Sequence, residues 1–225
     1  MSALLLFAML ELPNNLGERL EALRVEETPR IVVVDVAEQK AAFFAGRQPK
    51  GIYTVSTGKN GTGQRIGSNR TPLGWHRIKR KIGAGLPLGA IFESREFTGR
   101  VWTPPAKDGQ ERPKEEGETG PAAESDLITS RIFWLEGVEE GVNRGQDAQG
   151  NVVDSFQRYI YFHGTNHEED LGKPASRGCV RMFNADIVAL FDLAQEGDLV
   201  LIVEKGFFPA KTGEAGDEKS SQTER

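Results

Sequence analysis

The only cysteine and two of the three histidines fall within one short segment, YFHGTNHEEDLGKPASRGCVRMFNAD. His163 follows the apolar run YIYF and precedes Gly164; Cys179 follows Gly178 and precedes Val180 and Arg181. A thiol is a poor nucleophile until it is deprotonated, and a neighbouring imidazole is a common means of doing so. A histidine at a strand end and a cysteine on a nearby glycine-containing turn therefore form a candidate base and nucleophile. Gly178 would let the backbone turn tightly and aim amide N–H groups into a pocket. Arg177 and Arg181 flank the thiol with fixed positive charge, which is expected to lower the thiol pKa and can hold a substrate carboxylate. The plainer alternative for a lone cysteine is a small buried hydrophobe. A metal site built from His163, His167, Glu168 and Cys179 is disfavoured. Its histidines lie in a Gly/Asn-containing loop rather than on a helix face, and no further ligand stands out.

The elements that must position these residues are mostly strands. IVVVDV (31–36) is β-branched throughout, AAFFAG (41–46) is its hairpin partner, and GIYTVSTG (51–58) follows. WHRIKRKI (75–82) alternates, and further strands are expected near 88–93, 99–102, 128–135, 158–162 and 199–203. The one convincing internal helix is NADIVALFDLAQEG (184–197), with Asn184 as its cap, Ile187, Leu190, Phe191 and Ala194 on one face, and Gly197 at its end. Leu16, Leu20 and Leu23 are spaced as an amphipathic helix over 14–25. The expected organisation is an N-terminal helical segment (1–29), a catalytic domain (30–206) and a disordered tail (207–225). Residues 104–126, PPAKDGQERPKEEGETGPAAESD, lack apolar anchors and are expected to form a mobile insertion.

Composition narrows the function. In 225 residues there are 28 Lys+Arg against 33 Asp+Glu, a formal charge of −5, so the basic excess of a general nucleic-acid binder is absent. One cysteine excludes an intrachain disulfide framework. No apolar run is long enough to read as a transmembrane span. TGKNGTGQ is glycine-rich but lacks the lysine–hydroxyl pair and the following helix of a phosphate-binding loop.

The segment HGTNHEEDLGKPASRGCVRMFNADI resembles the signature of the L,D-transpeptidase (YkuD-type) catalytic domain. That signature is a histidine, about 14–17 intervening residues, then Ser/Thr-His-Gly-Cys, a hydrophobic residue, and Arg or Asn. Here 15 residues separate His163 from Cys179. VSTGKNGTGQRIGSNRTPLGWHRI (55–78) is similar to the family's glycine-rich turn followed by Thr-Pro-x-Gly and an aromatic. IVVVDVAEQKAAFFAGRQPKGIYTVSTG is similar to its first hairpin, so the resemblance covers roughly 30–204. One position departs from the pattern: Arg177 stands where the family usually has histidine, and arginine cannot shuttle protons.

The resemblance implies a mainly β, sandwich-like domain with a few short helices. It implies a metal-free, cofactor-free enzyme with Cys179 as nucleophile and His163 as base, acting on peptidoglycan stem peptides and open to acylation by carbapenem inhibitors. The bond attacked would join a diamino acid to D-Ala, and an amine of a second stem would resolve the thioester into a 3→3 cross-link. Water as acceptor would give an L,D-carboxypeptidase, and a non-catalytic wall-binding module weakened by Arg177 is the other alternative. Gly178 and Ser176 are assigned to the turn and oxyanion site. Arg181, Arg177, Gly164 and Tyr161 are assigned to substrate binding, with an ion pair to a nearby acid as the alternative for Arg181. The family implies the periplasm or cell envelope, although the N-terminal ALLLFAMLEL lacks the basic start of a standard export signal.

Overall fold

The computed structural model describes residues 10–104 and 126–209. The first nine residues, nearly all of the expected insertion and most of the expected tail lie outside them. Strand β1 (Arg30–Asp35) shows why its sequence is a continuous apolar run rather than an alternating one. Val32 and Val34 join one buried cluster, and Ile31 and Val33 join another on the opposite face. It pairs antiparallel with β2 (Lys40–Ala45) and parallel with β10 (Leu199–Val203).

The remaining strands are β3 (Gln48–Ser56), β4 (Gly74–Ile82), β5 (Ala90–Glu93), β6 (Glu96–Val101), β7 (Ile128–Gly137), β8 (Tyr161–Gly164) and β9 (Val180–Met182). Their order is β4-β10-β1-β2-β3-β9-β8-β7-β5-β6, and a further β4–β7 pairing closes eight of the ten into a ring. Ten-residue β7 makes this possible by dividing its length. Ile132 to Gly137 pair with β4, while Ile128 and Thr129 pair with β5. The β5–β6 hairpin therefore projects beyond the ring, and its base packs on the face of β7 and β8 that points away from the main core. The mainly β architecture with few short helices is the one expected, with closure of the sheet added.

Among the described residues, two α-helices cover the sheet. Helix α1 (Leu16–Ala22) is shorter than its pattern suggests, but Leu16 and Leu20 are fully buried against Trp75 and Phe44, as their spacing requires. Helix α2 (Asn184–Leu193) buries Ile187, Leu190 and Phe191 on the main core. Asn184 does not cap it. Phe183 precedes the first turn, and the Glu168 carboxylate accepts the Asn184 backbone N–H at 2.8 Å. The buried Asn184 carboxamide instead bridges Thr165, Thr129 and Ser130, tying α2 to β7 and the end of β8. Cross-chain ties also fix the far end. Phe207 and Phe208 were expected in a disordered tail, but their N–H groups donate to buried Asp35 at 2.9 and 3.1 Å.

Candidate active site

Short strands β8 and β9 run parallel, with Phe162 opposite Val180 and His163 opposite Arg181. Directly paired residues share a face, and neighbours in sequence alternate. Phe162, Val180 and Met182 accordingly enter the main core, whereas Tyr161 and Cys179 belong to the separate cluster under the β5–β6 hairpin. His163 lies on that second face too, opposite Ile132 of β7. The structure thus brings His163, Cys179, Arg181 and Tyr161 onto one face. Strand β9, only three residues long, is not legible in the sequence, and β8 begins later than expected because Tyr159 takes a left-handed conformation (φ 56°).

The imidazole is held in one tautomer. Nδ1 of His163 lies 2.7 Å from the Gly164 carbonyl oxygen, which can only accept, so Nδ1 carries the proton and Nε2 keeps its lone pair. Only glycine fits at position 164, because a Cβ would lie 2.4 Å from Asn184 Oδ1. His163 is 3 % exposed, and burial pushes its pKa down to about 4.

The turn before Cys179 is fixed from several sides. Ser176 Oγ accepts the Gly178 N–H at 3.0 Å and donates to the Cys179 carbonyl at 2.6 Å. Thr71 Oγ1 donates to the Gly178 carbonyl at 3.0 Å and accepts the Gly58 N–H at 2.8 Å. Gly178 has φ +115°, and a Cβ there would lie 2.9 Å from the Arg70 carbonyl. Ser176 Oγ therefore bridges the two ends of the turn, and the Gly178 N–H is engaged within it rather than aimed into a pocket.

Cys179 as a residue is half-buried, and its Sγ–H donates to the Tyr159 carbonyl at 3.4 Å. The expected lowering of its pKa does not occur: burial pushes it up to about 11. The Tyr161 N–H and the charges of Arg181 and Arg158 oppose that rise without reversing it. Arg181 is buried and paired with Asp126, so the ion-pair alternative holds for its guanidinium. Arg177 is exposed at the turn, with no acceptor or ring holding it among the described residues. Tyr161 is buried at the base of the site. His167 sits in a loop beside Glu169 at 3.3 Å, and His76 is a core residue bonded to Gly74 and Ser155.

Two arginines not singled out by sequence approach the site. Arg158 donates to the carbonyls of Gly63, Gln64 and Arg70 at 3.1, 2.7 and 2.6 Å, anchoring the glycine-rich loop that walls the cysteine turn. A groove of about 690 Å³ lies along that loop, between Gly63–Arg70 and Gly141–Val153, and neither His163 nor Cys179 lines it. Arg95, at the tip of the β5–β6 hairpin, stacks over Trp134 and Tyr159 at 5.1 and 5.2 Å. Both arginines act through partners distant in the chain, which no local pattern records.

Comparison with known proteins matches the stretch of chain that carries these residues. The family profile of the YkuD L,D-transpeptidase catalytic domain matches residues 29–202. The chain is similar to the Probable L,D-transpeptidase ErfK/SrfK of Salmonella typhimurium, 29 % identical over 175 residues, or 77 % of this chain and 44 % of that protein. It is similar to the Probable L,D-transpeptidase YbiS of Escherichia coli, 28 % identical over 176 residues with the same coverage of each. The chain thus spans less than half the length of these relatives. Among solved structures, L,D-transpeptidase 3 from Mycobacterium tuberculosis in complex with a faropenem-derived adduct aligns with a TM-score of 0.45 at 13 % identity. That alignment covers 78 % of this chain and 60 % of that one.

Proposed function

The chain belongs to the YkuD family of L,D-transpeptidase catalytic domains, and from that membership we propose that it cross-links peptidoglycan stem peptides through an acyl group carried on Cys179. The donor is a tetrapeptide stem, and the bond cleaved joins its third residue, a diamino acid, to D-Ala. Nε2 of His163 takes the thiol proton as sulfur attacks the carbonyl carbon. The Cys179 backbone N–H faces the developing oxyanion, a role that the Gly178 N–H, engaged by Ser176, leaves to it. The C–N bond then breaks, the imidazolium returns its proton to the D-Ala amine, and a thioester remains. The side-chain amine of a second stem attacks the thioester, forms the 3→3 amide and releases the thiol.

The observation that supports this reading is the common face of β8 and β9, which carries the thiol and an imidazole whose Nε2 is bare. Arg177 takes no part in proton transfer, and its cation lies open to solvent beside the turn. Peptidoglycan as substrate places the activity in the periplasm or cell envelope. The described residues contain no helix long and apolar enough to cross a membrane.

The deciding experiment incubates the purified protein with tetrapeptide-bearing muropeptides and follows both products and intact mass. Cross-linked dimers, and a Cys179 adduct after carbapenem treatment, are expected. Release of D-Ala without dimers would establish the L,D-carboxypeptidase instead. Retention on peptidoglycan with no turnover and no adduct would establish the wall-binding module.

A further inference from the structure

A donor stem carries carboxylates, and a protein that orients it needs an available, pre-positioned cation near the sulfur. Of the four arginines around Cys179, Arg181 is paired with Asp126, and Arg158 is bound to loop carbonyls. Arg177 is exposed and unheld among the described residues. Arg95 differs from all three. Its guanidinium lies over the Trp134 and Tyr159 rings at 5.1 and 5.2 Å. Among the described residues no carboxylate stands within ion-pair distance of it.

The platform beneath it is rigid and adjoins the sulfur. Trp134 stacks on Phe156 at 4.0 Å and donates its indole N–H to the Phe156 carbonyl at 3.0 Å. Tyr159 supplies the carbonyl that holds the thiol proton, and Tyr161 packs in the same cluster as Cys179. A guanidinium stacked on rings keeps its in-plane N–H groups free for bidentate contact with a carboxylate. The backbone that delivers Arg95 is also unusual. Ser94 and Arg95 both have positive φ, 49° and 71°, in a two-residue hairpin turn that ordinarily takes Asn-Gly. Such strain in non-glycine residues gathers at functional sites.

We propose that Arg95 is a specificity-determining residue that binds a carboxylate of the donor stem and so registers the scissile carbonyl over Cys179. The inference rests on the transpeptidase reading above. Two groups offer this chemistry: the terminal carboxylate of the departing D-Ala and the side-chain carboxylate of a diamino acid such as meso-diaminopimelate.

Three synthetic tetrapeptide donors separate them: one with both carboxylates free, one with a C-terminal D-Ala carboxamide, and one amidated on the diamino acid side chain. The rate of Cys179 acylation is read by intact mass for wild type, Arg95→Gln and Arg95→Lys, with melting temperatures alongside. Arg95→Gln is expected to lose on the order of 10- to 100-fold on the free-acid donor, the scale of a charged hydrogen-bonded pair. It should match wild type on whichever amide removes the partner carboxylate, which identifies the group. Arg95→Lys should fall between. Equal slowing of Arg95→Gln on all three donors would make Arg95 a structural latch and overturn the proposal, as would an unchanged rate on the free-acid donor. A wild type that is acylated by none of the donors would sink the transpeptidase reading, and this inference with it.

Discussion

The Cys179 thiol donates to the Tyr159 carbonyl at 3.4 Å, so in the resting protein the sulfur holds its proton against the backbone. A carbonyl can only accept, so this contact favours the thiol over the thiolate. Burial, and after it the charge of Asp126, push the thiol pKa up to about 11 despite two nearby guanidinia. Burial of both groups favours a neutral thiol beside a neutral His163 imidazole over a thiolate–imidazolium pair.

The first expected outcome is slow alkylation. A thiol raised from 9.0 to about 11 holds about 100-fold less thiolate at pH 8. The higher basicity of that thiolate recovers part of the loss, leaving a rate roughly tenfold below that of a small thiol. Iodoacetamide labelling followed by mass across pH 7 to 11 checks this. A plateau already reached at pH 7 would contradict the resting state described.

Turnover has a different pH dependence. His163 carries its accepting Nε2 lone pair only while neutral, and its pKa lies near 4 rather than 6.5. The acid limb of kcat/KM is therefore expected near pH 4, with no inflection at 6.5. His163→Ala should lower kcat by about 10² to 10⁴, the usual contribution of a positioned base. A limb centred on 6.5 would show that the imidazole is more solvated than its surroundings indicate.

The same depression has a cost in stability. His76 is fully buried between Gly74 O and Ser155 Oγ, and burial lowers its pKa to about 4. The unfolded chain binds protons below 6.5 while the folded histidines remain neutral, so stability is full above about pH 6.5 and declines as pH falls towards 4. Each of His76 and His163 contributes up to about 3 kcal/mol to that decline. Urea unfolding at pH 7, 5.5 and 4.5 measures it, and His76→Asn should make the slope shallower by about one proton.

Much of this architecture is written locally, and the part that is not has a common cause. β1, β2 and β10 are continuous apolar runs because both their faces are covered, and they are read correctly from residue type alone. β9 escapes because three residues carry no periodicity, yet its pairing with β8 puts Cys179 on the same face as His163. The field at the thiol is hidden from the sequence for a related reason. Arg181 is neutralised by Asp126, which is far away in the chain, and burial, the dominant influence on the sulfur, has no sequence signature. Arg95 draws its meaning from Trp134 and Tyr159, which only the closed sheet brings to the hairpin tip. Cys179 and His163 stand out in the motif; their electrostatics depend on tertiary contacts.

The turn that presents the sulfur is where a single methyl group should do the most damage. Gly178 sits at φ +115°, a region closed to other L-residues, and a Cβ would press on the Arg70 carbonyl at 2.9 Å. That carbonyl cannot retreat freely, because Arg158 holds it at 2.6 Å together with those of Gly63 and Gln64. Strain in Gly178→Ala must therefore move the turn instead, and the thiol with it. A displacement of about 1 Å at a reacting atom costs on the order of 10² in rate. Gly178→Ala is expected to lose acylation by at least that factor while keeping the far-ultraviolet circular dichroism of the sheet. Ser176→Ala leaves φ unchanged and removes only the two Oγ hydrogen bonds, so it should destabilise by about 1–3 kcal/mol and slow acylation less. If Gly178→Ala were acylated at the wild-type rate, the turn would be shown to tolerate movement, and the placement of Cys179 would not depend on its backbone.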